Sequence, residues 1–383
     1  MSDMTLKLDG FDRTDRSLVS QWWWTVDRQM LFAILALAGI GVLMVALASP
    51  AVAERIGAPY WHFTTKHLIF LAPALIGMVA LSAMDKVLVR RLSFLGYVGV
   101  IGLLVLVPLI GFETKGAQRW IHLGGFSLQP SEFAKPALAV VTAWVLAQSI
   151  NRSRVWTGRV IAALVLAVTA GLTILQPDFG MTAVLAAIWG VQVFVAGLPW
   201  LLVIGVAGLA IGGAFLAYVT LPHVASRVDR FLMPAEAEGN YQVAQSLKAF
   251  EKGGLTGVGP GHGTVKDHLP DSHADFIFSV AGEELGLWFC LLIIALIGFI
   301  AWRAMGRALK QDSQFILLVV TGIVTQFVLQ SFIHMGSALK VIPAKGMTLP
   351  FVSYGGSSLL AMGVAMGLLL CFTRQDLVED RHG

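Results

Sequence analysis

Apolar residues in this chain fall into long uninterrupted runs separated by short polar connections. About ten runs stand out, near 30–48, 67–83, 92–111, 132–149, 158–175, 180–197, 200–218, 274–302, 314–335 and 349–372. A run of roughly 17–25 apolar residues spans the hydrocarbon core of a bilayer as a helix. The eighth is long enough to tilt or to extend beyond the bilayer. One shorter segment has a different pattern. Tyr241, Ala244, Leu247 and Phe250 recur at helical spacing with Gln242, Gln245 and Lys248 between them. This predicts a short amphipathic helix lying on the outer membrane face. The expected fold is an all-α polytopic membrane protein of about ten transmembrane helices.

Composition supports the pattern. The chain is 56% hydrophobic and 13% charged, about half the charge of a soluble domain. Leu31–Leu47 followed by Ala-Ser-Pro-Ala-Val-Ala imitates a signal peptide. The long segment before it and the length of the run favour a retained first span. Residues 1–29 then form a tail, with Trp22, Trp23 and Trp24 at the headgroup interface. Cys290 and Cys371 lie in apolar runs and read as small buried hydrophobes.

Charge sets the orientation. Lys7, Arg13, Arg16 and Arg28 precede the first span, and Lys86, Arg90 and Arg91 follow the second. Arg152, Arg154 and Arg159 follow the fourth, and Arg303, Arg307 and Lys310 follow the eighth. Arg374 and Arg381 close the chain. The positive-inside rule puts all of these in the cytoplasm, with both termini. A transmembrane domain over 30–372 and a C-terminal tail over 373–383 result. A large periplasmic loop, 219–273, joins the seventh and eighth helices.

The outward connections carry most of the unusual polar residues. KGAQRWIHLGGFSLQPSEFAKP (115–136) places Lys115 and Arg119 outside, against the charge bias. Cations there can bind phosphate. Ser131 suits an N-cap, and Glu132 can pair with Lys135 one turn on. In QPDFG (176–180), Asp178 either caps the next helix or holds a cation. Gly253–Gly263 supplies flexible backbone, as a mobile connector or a binding loop. In KGMTLPFVSYGGSS (345–358), Pro350 and Gly355–Gly356 interrupt a span. Broken backbone at that depth must be buried in protein or line a cavity. Asp275 stands where the long loop enters the eighth span, either as a helix cap or as a reactive carboxylate. Glu283 and Glu284 lie deeper and should face the protein interior. The chain has no P-loop, no metal-type Cys/His spacing and no nucleic-acid module. Neither an organic cofactor nor a nucleic-acid partner is expected.

Together, KGAQRWI, QPSEFAK, QPDFG, YQVAQS, HADFIF…GEELG and KGMTLPFVSYGGSS resemble the SEDS family of bacterial cell-wall proteins. The resemblance covers nearly the whole chain and is stronger to the division branch than to the elongation branch. One departure is His334, where the family pattern has Asn before Met335 and Gly336. The resemblance implies an inverting peptidoglycan glycosyltransferase that polymerises lipid II outside the cytoplasmic membrane, at the septum for the division branch. It implies Asp275 as the catalytic carboxylate. It also makes Lys115, Arg119, Glu132, Lys135, Gln242, Gln245, Ser246, His273, Lys345, Ser353 and Ser357 substrate-binding candidates. A divalent cation, Mg or Mn, could assist at the pyrophosphate, with Asp275 and Asp178 as the carboxylates considered. The implied partners are a class B penicillin-binding transpeptidase of the FtsI type and other divisome membrane proteins. A lipid II flippase and a non-catalytic scaffold are the rival readings.

Overall fold

The computed structural model describes residues 17–375 apart from 115, 116, 125, 236, 238, 239 and 344. Lys115 therefore lies outside the described residues. Helix α1 (Leu18–Thr25) precedes α2 (Arg28–Arg55), α3 (His62–Ala83) and α4 (Lys86–Ile110). Three short strands follow: β1 (Phe112–Thr114), β2 (Ala117–Leu123) and β3 (Phe126–Leu128). They pair antiparallel in the order β1-β2-β3. Then come α5 (Pro130–Asn151), α6 (Val155–Leu175), α7 (Phe179–Val195), α8 (Trp200–Thr220), α9 (Pro222–Leu232) and α10 (Tyr241–Gly253). The chain ends with α11 (Ile277–Ala308), α12 (Gln314–Ala338) and α13 (Gly356–Thr373). Among the described residues nine helices have the length and hydropathy of spans, and α7, at 17 residues, is a shorter apolar helix. Each of the ten expected runs thus overlaps one of these helices, the last only from Gly356 onward, since 349–355 is not helical.

Helix starts follow local chemistry. Asp27, Asp85, Asp178 and Ser313 cap α2, α4, α7 and α12, each side chain accepting an N–H of the first turn. Such caps satisfy donors that a helix leaves unpaired. Ser131 does not act this way. Helix α5 begins at Pro130 after Gln129, and the Ser131 hydroxyl finds no partner. Proline has already taken the first helical position, where its missing N–H costs nothing.

Spans α5 and α13 are the most enclosed, and α8 turns its whole apolar window outward. Helices in lipid gain little from apolar burial against one another, so close backbone approach matters more. A Cβ on Gly363 of α13 would stand only 2.5 Å from the Ala74 carbonyl oxygen of α3. At the end carrying the alternate basic connections, buried Asp27 receives Arg303 Nε at 2.8 Å and Arg307 Nε at 2.7 Å. Trp22 Nε1 donates to Ser82 Oγ at 2.9 Å, and Gln375 N to Thr25 O at 3.2 Å. The segment before α2 is therefore partly helical, and Trp22 is docked on the end of α3.

At the opposite end, α11 is broken. Gly286 has φ 78° and ψ −175°, so the helix ladder stops there. The loop after α10 repairs the break. Val258 N and Gly259 N each donate at 3.0 Å to the carbonyls of Glu283 and Glu284, and Leu287 N donates to Gly254 O at 3.0 Å. The fully buried Glu283 carboxylate accepts Thr264, Val265 and Lys266 N–H, each at 2.8 Å, and faces Lys252 Nζ at 3.3 Å. Glu284 accepts Gly261 N and Gly263 N and pairs with Lys266 Nζ. The glycine stretch is pinned by these bonds, which corrects its reading as a mobile connector. The glycines are needed for close approach: a Cβ on Gly257 (φ 78°) would press on the Glu284 carbonyl.

Helix α10 forms where the helical spacing predicts it and docks on protein through its small residues. Ser246, Ala249 and Gly253 are buried against α11, whereas Tyr241 is 51% exposed. Ser246 Oγ lies 2.6 Å from Ser279 Oγ and donates to Ala338 O at 2.6 Å. The stripe of small residues provides a flat face that lets the helix dock on protein.

Candidate functional site

The segment 345–355, between α12 and α13, organises the end of the bundle opposite Asp27. Pro350 and the Gly355–Gly356 pair keep its first half from forming helix, so its backbone groups must find other partners. Tyr354 N donates to His273 O at 2.9 Å, and Ser353 Oγ donates to Ala274 O at 2.7 Å. Ser353 Oγ in turn accepts Leu349 N at 2.9 Å. These bonds hold the two residues just before Asp275. Asp275 N itself donates to Asp271 O at 2.9 Å. The residue at the N-cap of α11 is Phe276, without a side-chain cap bond, so Asp275 is not the cap of that helix.

Gly346 faces the carboxylate. With φ 66° it holds a conformation L-residues avoid, and a Cβ there would stand 3.1 Å from Asp275 Oδ2. Lys345, one residue earlier, lies over the first turn of α7, where a Cβ on Gly180 would fall on its side chain. Asp178 caps that same turn through Met181 N at 3.1 Å. Arg119, on β2, donates Nε to Gln176 O at 3.1 Å and a terminal NH₂ to Pro177 O, with Asp178 Oδ2 3.9 Å away. Asp178 thus fills both roles left open in the sequence, cap and partner of an arginine.

A second polar group meets the segment from below. Lys135, fully buried, donates to Glu132 Oε2 at 2.8 Å and Gln330 Oε1 at 2.7 Å. Gln330 Nε2 donates to Thr348 O at 3.1 Å. The ammonium has a counter-charge and an amide acceptor, which burial of a charge requires. His334 Nδ1 lies 2.7 Å from Met347 O, so the residue that departs from the family pattern binds the same segment.

The remaining candidates are placed as follows. Ser357 Oγ donates to Ser127 O at 2.9 Å and accepts Gln129 N at 3.0 Å, tying α13 to β3. His273 is buried between Phe63 (4.1 Å) and Tyr354 (5.3 Å). Burial pushes its pKa down to about 4; Asp271 opposes that shift and Arg55 adds to it. Ser246, His273, Ser353 and Ser357 are thus inside the protein, each holding another element. Gln242 is exposed and Gln245 half-buried on α10. The Asp275 group, the Lys135 group and the 176–180 turn are joined through 345–355, while Gln242, Gln245 and Ser246 belong to the α10 contact.

Gly180, Gln330, Gly346 and Thr348 were not anticipated. Gln326, Gln330 and His334 recur every four residues in an apolar span, a polar stripe that could have marked α12 as facing this group. Among the described residues no three His, Cys, Asp or Glu side chains gather into a metal-holding group. Asp178 is already engaged by Met181 N and Arg119. These residues do not fit a resident divalent ion, and no mechanistic step below runs through one.

A family model described as "Cell cycle protein", covering FtsW, RodA and SpoVE, matches residues 28–377. The chain belongs to this family. Members of the FtsW branch align over most of its length. The probable peptidoglycan glycosyltransferase FtsW of Caulobacter vibrioides is 39% identical over 95% of this chain and 93% of its own. That of Saccharophagus degradans is 37% identical, over 93% and 94%. A chain solved in a study of how a peptidoglycan synthase complex coordinates polymerization and crosslinking matches with a TM-score of 0.77. It is 29% identical and is covered over 94% of this chain and 99% of its own. The rod shape determining protein RodA of Thermus thermophilus matches at a TM-score of 0.67 and 28% identity, over 94% and 99%. The FtsW-type match extends through every segment that forms the site.

Proposed function

We infer that this chain is a peptidoglycan glycosyltransferase of the FtsW type, polymerising lipid II at the outer face of the cytoplasmic membrane during division. The observation that carries the reading is Asp275, fixed at the mouth of α11 by bonds to the two residues before it and faced by Gly346. A sugar hydroxyl is a weak nucleophile until its proton is removed. A carboxylate within hydrogen-bond reach removes that proton as general base. The hydroxyl oxygen then bonds to the donor's anomeric carbon. The lipid-linked pyrophosphate leaves with the bonding pair, and the α-linked donor becomes a β-linked product. Since the leaving group is already good, the second carboxylic acid usual in glycoside hydrolysis is unnecessary. Cations stabilise the charge growing on the pyrophosphate. Lys115, Arg119 and Lys345 are the candidates. Arg119 would have to exchange the Gln176 and Pro177 carbonyls for phosphate.

The proposed partner is a membrane-anchored class B transpeptidase, with both termini of this chain cytoplasmic. The deciding experiment is lipid II polymerisation by purified wild type and Asp275→Asn, with and without the transpeptidase. In detergent there is no second compartment, so polymer made there is not transport. Loss of about 100-fold or more in a folded variant is expected, the range of a general base. Near-normal turnover would reject Asp275 as base, and absence of polymer from wild type with its partner would favour the flippase or scaffold.

A further inference from the structure

Between α4 and α5 lies a groove of about 440 Å³, lined by Phe94, Leu95, Val141 and Trp144 with Arg90 and Arg91 at one end. That volume is within the ~300–1,000 Å³ of small-molecule sites. Phe94 and Trp144 meet edge to face at 6.3 Å, and Val141 is buried beneath them. Arg90 holds its guanidinium 5.8 Å from the Phe315 ring at the start of α12. That is the end of the bundle where Asp27 meets Arg303 and Arg307, the cytoplasmic end by the charge pattern. Among the described residues no carboxylate pairs with Arg90 or Arg91. Two cations without a carboxylate partner among the described residues, at the cytoplasmic end of an apolar groove, match a molecule with an anionic head and hydrocarbon tails. A zwitterionic lipid would bring its own headgroup cation against the two arginines, and a free phosphate would leave the groove unfilled. Basic pockets between spans on the cytoplasmic side are a known mode of anionic-lipid capture.

We propose that this groove is a binding site for one anionic phospholipid of the cytoplasmic leaflet. Its headgroup phosphate is held by Arg90 and Arg91, and an acyl chain lies along Phe94, Leu95 and Trp144. The site is remote from Asp275, and its occupancy is read without any polymerisation assay, so failure of the catalytic reading leaves it standing. The test uses the full chain in nanodiscs with photoactivatable phosphatidylglycerol, and a phosphatidylcholine probe with the same chains as control. Phosphatidylglycerol should label the 94–95 and 141–144 peptides in preference to phosphatidylcholine. At about 1 kcal/mol per basic residue, its affinity should fall about fivefold in Arg91→Gln and about thirtyfold in Arg90→Gln/Arg91→Gln. Arg91 is exposed, so the single variant keeps the test open if the double variant melts early. Equal labelling by the two probes would make the groove a non-selective lipid contact and overturn the proposal. Unchanged phosphatidylglycerol labelling in Arg91→Gln, or labelling confined to other spans, would overturn it too, as would a co-purifying membrane protein cross-linked at Leu95.

Discussion

The side chains around Asp275 mostly act on its backbone. Ser353 is 1% exposed, and its hydroxyl spans Leu349 N and Ala274 O. Replacing Ser353 by Ala leaves two buried polar groups unpaired, costing about 1–3 kcal/mol. It also frees the turn that carries the carboxylate, and a displacement of ~1 Å at a reacting group can cost about 100-fold in rate. Ser353→Ala should therefore lower kcat about 10- to 100-fold with little change in donor KM. A purely structural role would instead lower the active fraction and leave kcat per folded molecule unchanged. Steady-state polymerisation normalised to folded protein separates the two. Here the limit of sequence reading is plain. Ser246, Ser353, Ser357 and His273 sit in motif segments and read as ligands of substrate. Whether a hydroxyl faces a cavity or a neighbouring carbonyl depends on contacts between segments far apart in the chain, such as Ser357 with Ser127. No local pattern encodes those.

Among the elements, the break in α11 is the least expected. Gly286 needs a positive φ, and the carbonyls it frees are taken up by Val258 and Gly259. A Cβ on Gly286 would come within 2.6 Å of backbone atoms of the 255–257 loop. Strain at such positions costs roughly 1–3 kcal/mol before any clash is counted. Gly286→Ala should lower the melting temperature in detergent and raise hydrogen exchange at 258–266, the amides that bind Glu283 and Glu284. A variant exchanging at the wild-type rate there would show that the loop does not depend on the break. The positions of all ten apolar helices were legible in hydropathy, because a span must be long and apolar whatever its neighbours. The break was not, since Leu285, Leu287 and Trp288 continue the apolar run on either side of the glycine. Strands β1–β3 were hidden too: their residues read as motif and turn, and their pairing depends on each other.

At the scale of the whole molecule, buried titratable groups hold the two ends of the bundle together, and both groups weaken in acid. His273, at the end opposite Asp27, has its pKa pushed down to about 4 by burial, with Arg55 helping and Asp271 opposing. A histidine depressed in the folded state favours folding in its neutral form. Its contribution is complete above the ordinary value of 6.5 and is lost as pH falls from 6.5 towards 4, to a limit of about 3 kcal/mol. Asp27, at the other end, is desolvated, which raises its pKa. The Met30 N–H, Arg307 and Arg303 outweigh that and hold it below its ordinary 3.8. Its contribution is present above 3.8 and is lost only as pH falls through the lower folded value. Acid unfolding should therefore have two separable limbs, read as differences from wild type in detergent melts. His273→Phe keeps the ring stacked between Phe63 and Tyr354 but cannot take a proton. It should flatten the melting profile between pH 6.5 and 4 relative to wild type and leave the lower limb unchanged. Asp27→Asn should destabilise at neutral pH, since Arg303 and Arg307 lose their counter-charge, and should flatten only the limb below pH 4. If His273→Phe melts in parallel with wild type across pH 6.5 to 4, the imidazole is not held neutral by its surroundings. The packing of 273–275 against 349–354 would then have to be reconsidered, and with it the means by which the fold presents Asp275.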